Sequence, residues 1–381
     1  MTKPGYDAAV VGAGVFGSWI ALKLLRAGKK VLLVDAFGAG NSRSSSGDES
    51  RIIRLGYGAD EIYSRMAMDS LRDWQELFAG RGCPHLFQPT GVLWMGRKDD
   101  PYMAGCDVVL QRLGAPTEEL SATELQKRYP QFDGEGIEHA LFEPQSGALL
   151  GRRAVQAVWQ AYVEEGGEFL LAKIAVPPEK PGAITRENGD RINADVFVFA
   201  CGPWLGKIFP HLLGERLFVT RQEVFYFGTP SGPEYGMHRL PIWLHMNDQV
   251  YGFPDLENRG VKVAFDEHGP AFDPDTGERL VSRESLGKMR RYLAKRIPAL
   301  AQSPLAETRV CQYENTSNGD FFLDRHPQAE NIWLAGGGSG HGFKHGPAVG
   351  QYLQRQIDGS AKAEPRFSLS AKATRQNRTV F

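Results

Sequence analysis

The chain opens on a short apolar run, Tyr6-Asp7-Ala8-Ala9 leading into Val10-Val11, that reads as a buried parallel strand. Ser18 to Leu25 then keeps helical spacing, with Ile20, Leu22, Leu24 and Leu25 apolar, and Gly28 supplies a stop. A second apolar run, Val31-Leu32-Leu33-Val34, ends at Asp35. The pattern predicts strand, helix and strand in the first 35 residues.

Further on, a helix is expected from Asp60, as N-cap, to Phe78, with Tyr63, Ala67, Leu71, Trp74 and Phe78 as its buried stripe. Residues 86–97 read as strands around a turn, and helical and loop sequence runs to about Pro130. Phe142–Gly147 is a turn, and Arg152–Glu164 is a helix stopped by Gly166-Gly167. Phe169–Ala172 is a strand, residues 173–190 contain turns, and Asp195–Gly202 is a buried strand entering the loop at Pro203-Trp204. From Phe218 the pattern turns β-rich, through Val224–Phe227, Val250–Phe253 and Val261–Phe265, which predicts an antiparallel sheet. Ser282–Arg296 is helical. The buried strand Ile332–Ala335 runs into Gly336-Gly337-Gly338-Ser339-Gly340-His341-Gly342, and another helix follows. The polar, mildly basic last twenty residues read as a loosely packed tail.

Gly12, Gly14 and Gly17 fall on the first strand-to-helix turn, and an acid follows about 20 positions later, as a dinucleotide fingerprint requires. Gly12 makes the turn, Gly14 admits a pyrophosphate, and Gly17 lets helix pack on strand. The helix N-terminus favours phosphate charge, and Asp35 can accept from a ribose diol. The unit does not distinguish FAD from NAD. The second glycine-rich turn, 336–342, again implies close approach of backbone to a ligand. The hydroxyl-rich loop Asn41–Asp48 reads equally as ligand contacts or as a solvated turn.

A chain of 381 residues is long for a single core, so two domains are expected. A net charge of -1 gives no case for nucleic acid or a membrane surface, and no apolar run approaches the roughly 20 residues of a membrane span. Four cysteines without CxxC spacing argue against structural zinc and a disulfide framework, and no metal is expected. The first strand leaves no room for a signal peptide, so a cytoplasmic location is expected.

Several blocks carry a family resemblance: Gly12–Gly17, Val34-Asp35-Ala36, Gly47-Asp48 with Arg51-Ile52-Ile53-Arg54, Thr90–Leu93, Tyr251–Pro254 with Lys262, Val310–Tyr313, and Gly338–Lys344. In this order and spacing the chain resembles flavin-dependent amine oxidases of the monomeric sarcosine oxidase and N-methyltryptophan oxidase type, within the D-amino acid oxidase-like family. The resemblance favours FAD over NAD. It implies an α/β fold: a discontinuous Rossmann-type FAD-binding domain (1–85, 148–217 and 318–381) with an inserted antiparallel-sheet α+β substrate domain (86–147 and 218–317). Candidate cofactor contacts are Gly12, Gly14, Val15, Phe16, Gly17, Asp35, Ala36, Arg43, Ser44, Arg51, Ile52, Ile174, Ala200, Gly202, Trp204, Cys311, Gly338, Gly340, Gly342, Phe343 and Lys344.

The resemblance assigns roles as well. Cys311 matches the cysteine that bonds the flavin 8-methyl carbon; by composition alone it is a small buried hydrophobe. Lys262 matches the lysine over the flavin where oxygen is reduced, although its alternation also suits an edge strand. Arg54 and Lys344 match the pair that binds a substrate carboxylate. Arg51 matches the residue against the flavin ring, and Tyr251 and Tyr313 match pocket positions that core packing would equally explain. Asp266 stands in place of a pocket histidine, either to pair with a second cation on the substrate or to reset local electrostatics. Ser45-Ser46 replaces two histidines, and one residue is inserted before Arg51.

The implied activity is oxidation of secondary α-amino acids, N-methyl, N-alkyl or cyclic, by hydride transfer to flavin N5, with imine hydrolysis and reduction of oxygen to hydrogen peroxide, in a monomer. A flavin dehydrogenase serving a quinone or protein carrier, an NAD-dependent dehydrogenase and a protein holding flavin for structure are the competing readings.

Overall fold

The computed structural model describes residues 5–175 and 184–376. Part of the 173–190 segment, the first four residues and the last five therefore lie outside the described residues.

The first apolar run forms the strand Tyr6–Val11, central to a six-stranded sheet. Its neighbours are Val31–Asp35 and Ala194–Phe199, both parallel to it. Glu168–Leu171 adds beyond Val31–Asp35, and Ala329–Gly336 beyond Ala194–Phe199. Phe322–His326 closes that edge antiparallel. Both faces of the central strands are buried, which is why they read as unbroken apolar runs. The helix Val15–Arg26 packs against a second helix, Gly346–Ile357, through Trp19 and small residues: a Cβ at Gly350 would come within 2.8 Å of the Trp19 carbonyl oxygen.

The β-rich part forms an eight-stranded sheet in the order Leu305–Asn315, Phe218–Phe227, Val261–Phe265, Val250–Phe253, Ile242–His245, Val92–Gly96, His139–Glu143, Glu118–Ser121. Its pairs are antiparallel except one: Ile242–His245 lies parallel to Val92–Gly96, where an antiparallel sheet is expected throughout. The two strands of that pair come from distant parts of the chain, so no hairpin turn fixes their direction. A small three-stranded antiparallel sheet has Gly147–Leu149 between Arg51–Ile53 and Phe87–Gln88. Phe142–Gly147 is thus not all turn: its two ends belong to strands.

Two local expectations need correction. The long helix spans Glu61–Gly80, and Asp60 sits at its N-cap position without capping it. The Asp60 carboxylate instead accepts both terminal nitrogens of Arg366, at 3.0 and 2.6 Å. The tail containing Arg366 is not loosely packed over residues 362–376. Phe367 is buried against Tyr63, Phe321 and Tyr352, and Arg366 also pairs with Asp320 at 2.6 Å. Polar composition hid an anchored segment, because its hold comes mainly from polar groups: Arg366, and the amides of Leu369 and Ala373 bonded to Asp324 and Ser317, beside the one ring of Phe367. Among the described residues, no helix is long and apolar enough to cross a membrane.

Candidate active site

The glycine turn is locked by its own packing. Gly12 has φ +104°, and a Cβ there would meet the Ala200 carbonyl oxygen at 2.4 Å. A Cβ at Gly17 would stand 1.7 Å from the Gly12 oxygen, so the helix lies directly on the turn. The helix start is capped from a distance: the Ser46 hydroxyl accepts from the Val15 amide at 3.1 Å. The hydroxyl-rich loop is a stitched structure with both faces in use. Asn41 Oδ1 accepts from the amides of Arg43 and Ser44, and the Ser45 hydroxyl donates to the Gln312 carbonyl at 2.9 Å.

A cavity of about 440 Å³ opens beyond the carboxyl ends of Tyr6–Val11, Val31–Asp35 and Ala194–Phe199, the usual ligand position in a parallel sheet. Seventeen of the expected cofactor contacts line it: Gly12, Gly14, Val15, Phe16, Asp35, Ala36, Ser44, Arg51, Ile174, Ala200, Gly202, Trp204, Cys311, Gly338, Gly340, Gly342 and Phe343. The substrate candidate Tyr313 lines it too. Gly17, Arg43, Ile52 and Lys344 do not; Arg43 instead stacks on Phe37, 4.9 Å from the ring centroid. Asp35 accepts from the amides of Ala13, Phe37 and Gly38 at 2.7 to 2.9 Å. Burial raises its pKa, and those amides work against the shift.

At one end of the cavity a charge cluster forms. Lys262, fully buried, pairs across the sheet with Tyr226 and Phe253. Its Nζ donates to Asp48 Oδ2 at 2.6 Å and to the Ser50 carbonyl at 2.8 Å. Arg51 reaches the same Asp48 oxygen at 3.2 Å, the Ser45 carbonyl at 2.7 Å and Cys311 Sγ at 3.3 Å. Tyr226 and the Glu49 amide donate to the other Asp48 oxygen, at 3.3 and 2.8 Å. Burial would push the Asp48 carboxyl up, but Lys262 and Arg51 hold it well below the usual carboxylate range. Burial lowers the Lys262 pKa; Asp48 works against this and Arg51 adds to it. Burial also works against the Arg51 charge, yet Cys311 and Asp48 keep its pKa above the ordinary arginine value. One acid therefore serves two cations.

A second pair of cations meets at Tyr57. The Arg54 guanidinium lies 4.2 Å from the Tyr57 ring centroid and 5.0 Å from that of Trp94, and it donates to the Gly56 carbonyl. Lys344 Nζ donates to the Tyr57 hydroxyl at 2.8 Å and to the His341 carbonyl at 3.0 Å. Both side chains are buried, and among the described residues neither forms an ion pair. Burial and the Arg54 charge hold the Lys344 pKa well below its ordinary value. The backbone beneath Arg54 is fixed by Glu143, which is buried and accepts from the amides of Leu55 and Gly56, from Trp94 Nε1 and from the Ser146 hydroxyl.

Tyr251, Tyr313 and Asp266 lie beside these clusters. The Tyr313 hydroxyl is 3.5 Å from Asp266 Oδ1. Burial raises the Tyr251 pKa, and Asp266 raises it further. Sequence reasoning noticed Asp48 only as part of a motif, and it missed Tyr57, His345 and Glu143. A carboxylate three residues before Arg51 was a usable signal for Asp48; Tyr57 and Glu143 carried none. His345 Nε2 stands 2.7 Å from the Tyr57 hydroxyl, so the carrier of Lys344 is itself held.

The model of the FAD dependent oxidoreductase family matches residues 7–356. The chain belongs to this family. It is 30% identical to peroxisomal sarcosine oxidase of Homo sapiens over 97% of this chain and 95% of that protein. It is also 30% identical to monomeric sarcosine oxidase of Arthrobacter sp. (strain TE1826), over 99% of each. Among solved structures, L-proline dehydrogenase from P. horikoshii superposes with a TM-score of 0.82, at 19% identity, over 96% of this chain and 97% of that one. The member described here is an FAD-dependent oxidoreductase. Its residues fit the cofactor: the glycine turn, the start of the helix Val15–Arg26 and Asp35 open on one continuous cavity that reaches Cys311. FAD, when bound, supplies the two-electron acceptor.

Proposed function

We propose that this oxidoreductase oxidises secondary α-amino acids, N-methyl, N-alkyl or cyclic, and returns the electrons to oxygen as hydrogen peroxide. The observation that carries the reading is the Arg54–Lys344 pair, two buried cations around one tyrosine ring with no acid bound to either among the described residues. A buried charge without a bonded partner is costly, and the Lys344 pKa is held well below its ordinary value, so an anion arriving from outside would stabilise the charge of both side chains. A carboxylate fits, because a guanidinium can grip both of its oxygens and an ammonium adds a third donor. The names of the sarcosine oxidase relatives support an N-substituted amino acid as the bearer of that carboxylate.

In this reading the FAD-binding part comprises residues 1–85, 148–217 and 318–381, and residues 86–147 and 218–317 present the substrate. Tyr251, Tyr313 and Asp266 line the space for the amine. Arg51 holds a positive charge against the cofactor. Lys262 takes the role at the place where oxygen is reduced, with Asp48 2.6 Å from its Nζ working against the effect of burial. Cys311 would hold FAD through a thioether to the 8-methyl carbon: a methyl proton would leave, the sulfur would take its place, and the electron pair would pass to the flavin ring and on to oxygen; the nucleophile in such a bond is the thiolate, and Arg51 Nη2 stands 3.3 Å from that sulfur. Acid precipitation tests the bond: flavin colour stays in the pellet if it is present and leaves with the supernatant if it is not. One chain suffices for this site, and we propose a cytoplasmic monomer.

The decisive experiment mixes the protein anaerobically with N-methyl, cyclic and primary α-amino acids and with the matching amines that lack a carboxylate. Bleaching of the flavin absorbance by N-methyl or cyclic amino acids, and not by those amines, is the expected result. Equal bleaching by amines without a carboxylate overturns the reading.

A further inference from the structure

One group in the cofactor cavity has no use in the function just described. Glu314 lies on the strand Leu305–Asn315, one residue past Tyr313, and its carboxyl helps to line the cavity. Only 6% of the residue is exposed. Oε1 is shut off from solvent and has no hydrogen-bond partner. Room for the carboxyl exists because Gly336 has no side chain: a Cβ there would stand 2.6 Å from that oxygen. The backbone is fixed on both sides, by pairing with Val219 and by the Ser339 amide, which donates to the Glu314 carbonyl at 2.9 Å. The backbone of Glu314 is therefore fixed at the cavity wall, and its Oε1 is enclosed against Gly336 without a partner.

The charge around it is unusual for a nucleotide site. Burial raises the Glu314 pKa to about 8. The amides of Gly337 and Gly338 favour the charged form and do not overcome burial. The titratable groups facing it are the Cys201 thiol, at the end of the neighbouring parallel strand, and Asp35 beyond that thiol. Neither is a cation. A carboxylate here would be an unpaired buried charge and would share the cavity with a diphosphate. A protonated carboxyl has neither problem, and it carries one O–H donor. FAD offers carbonyl, hydroxyl and phosphate oxygens as acceptors.

We infer that Glu314 is a positioning residue that donates a hydrogen bond from its neutral carboxyl to an acceptor atom of bound FAD. Binding then fastens a proton on Glu314, and raising the pH loosens the cofactor.

The test is a fluorescence-quenching titration of FAD onto flavin-free protein carrying Cys311→Ala, from about pH 6 to about pH 10. With Glu314 in place, Kd is expected to be flat up to about pH 8 and then to rise about tenfold per pH unit, the slope of one proton. Glu314→Gln keeps an N–H donor and cannot titrate, so it should bind FAD with no slope. Glu314→Ala should bind about tenfold more weakly at pH 7, the loss of one hydrogen bond. A slope that persists in Glu314→Gln, or Glu314→Ala binding as tightly as the parent, overturns the inference. Should the flavin-free protein not fold, infrared spectra of the flavin-loaded protein decide. A protonated-carboxyl band that Glu314→Gln removes supports the donor, and its absence from flavin-loaded protein overturns it. A preparation that takes up no flavin would instead count against the FAD assignment itself.

Discussion

The two cation clusters of this molecule look alike in composition and differ in one respect. Lys262 and Arg51 share Asp48 as a resident counter-charge. Arg54 and Lys344 meet at the ring and hydroxyl of Tyr57, and among the described residues neither forms an ion pair, although the Glu143 carboxylate acts on both. In the first cluster a resident acid works against the loss of the lysine charge that burial favours. In the proposed function, the second cluster takes its anion from the substrate. The difference lies in whether the acid is built in, although both are buried lysine–arginine pairs.

That contrast can be broken at each position. The largest effect is expected from Asp48→Asn, which leaves two buried cations without their acid and costs about 3–5 kcal/mol of stability, read as a fall in the unfolding midpoint. The sign with pH follows from its depressed pKa. The contribution of Asp48 is present above the unfolded carboxyl value near ~3.9 and is lost as pH falls from there towards the folded value. The variant should therefore lose less stability than the parent below about pH 4, and a parallel acid profile would refute the pairing.

Next comes Arg54→Met. Truncating one partner of a buried charged contact costs about 2–5 kcal/mol, so kcat/KM for a carboxylate substrate should fall by that amount. A matching amine without the carboxylate should lose far less, and equal losses would show that Arg54 does not read the anion. The smallest of the three is Lys262→Met, which should slow flavin reoxidation by oxygen on the order of 10²-fold while leaving anaerobic reduction by substrate nearly unchanged. Stopped-flow measurement of both half-reactions checks it, and equal slowing of the two would end the assignment.

What could be read in advance depended on how far apart the partners lie. Gly12, Gly14, Gly17 and Asp35 lie within one local unit, so spacing alone revealed the turn, and the structure puts Gly12 at φ +104°. Cys311, Lys262, Arg54 and Lys344 were visible only through resemblance, because nothing near each in sequence marks it. Asp48 was in view, but its bond to Lys262 spans 214 positions and leaves no periodic trace. The same holds for Arg366, which reaches back 306 positions to Asp60 and turns an apparent tail into an anchored one. The parallel pairing of Val92–Gly96 with Ile242–His245 was out of reach for the same reason: strand direction is set by topology, and both directions bury the same residues.

The wall of the cofactor cavity has a consequence for how the protein is made. Its residues run from Val11 through Ala200 and Cys311 to Phe343. The strand that begins the chain finds its outer partner only when Ala194–Phe199 exists, and that strand in turn waits for Ala329–Gly336. Synthesis runs from the N-terminus, so a nascent chain that stops short of Phe343 has no enclosed place to put FAD. The glycine turn is thus half of a clasp, whose other half lies more than 300 positions further along the chain.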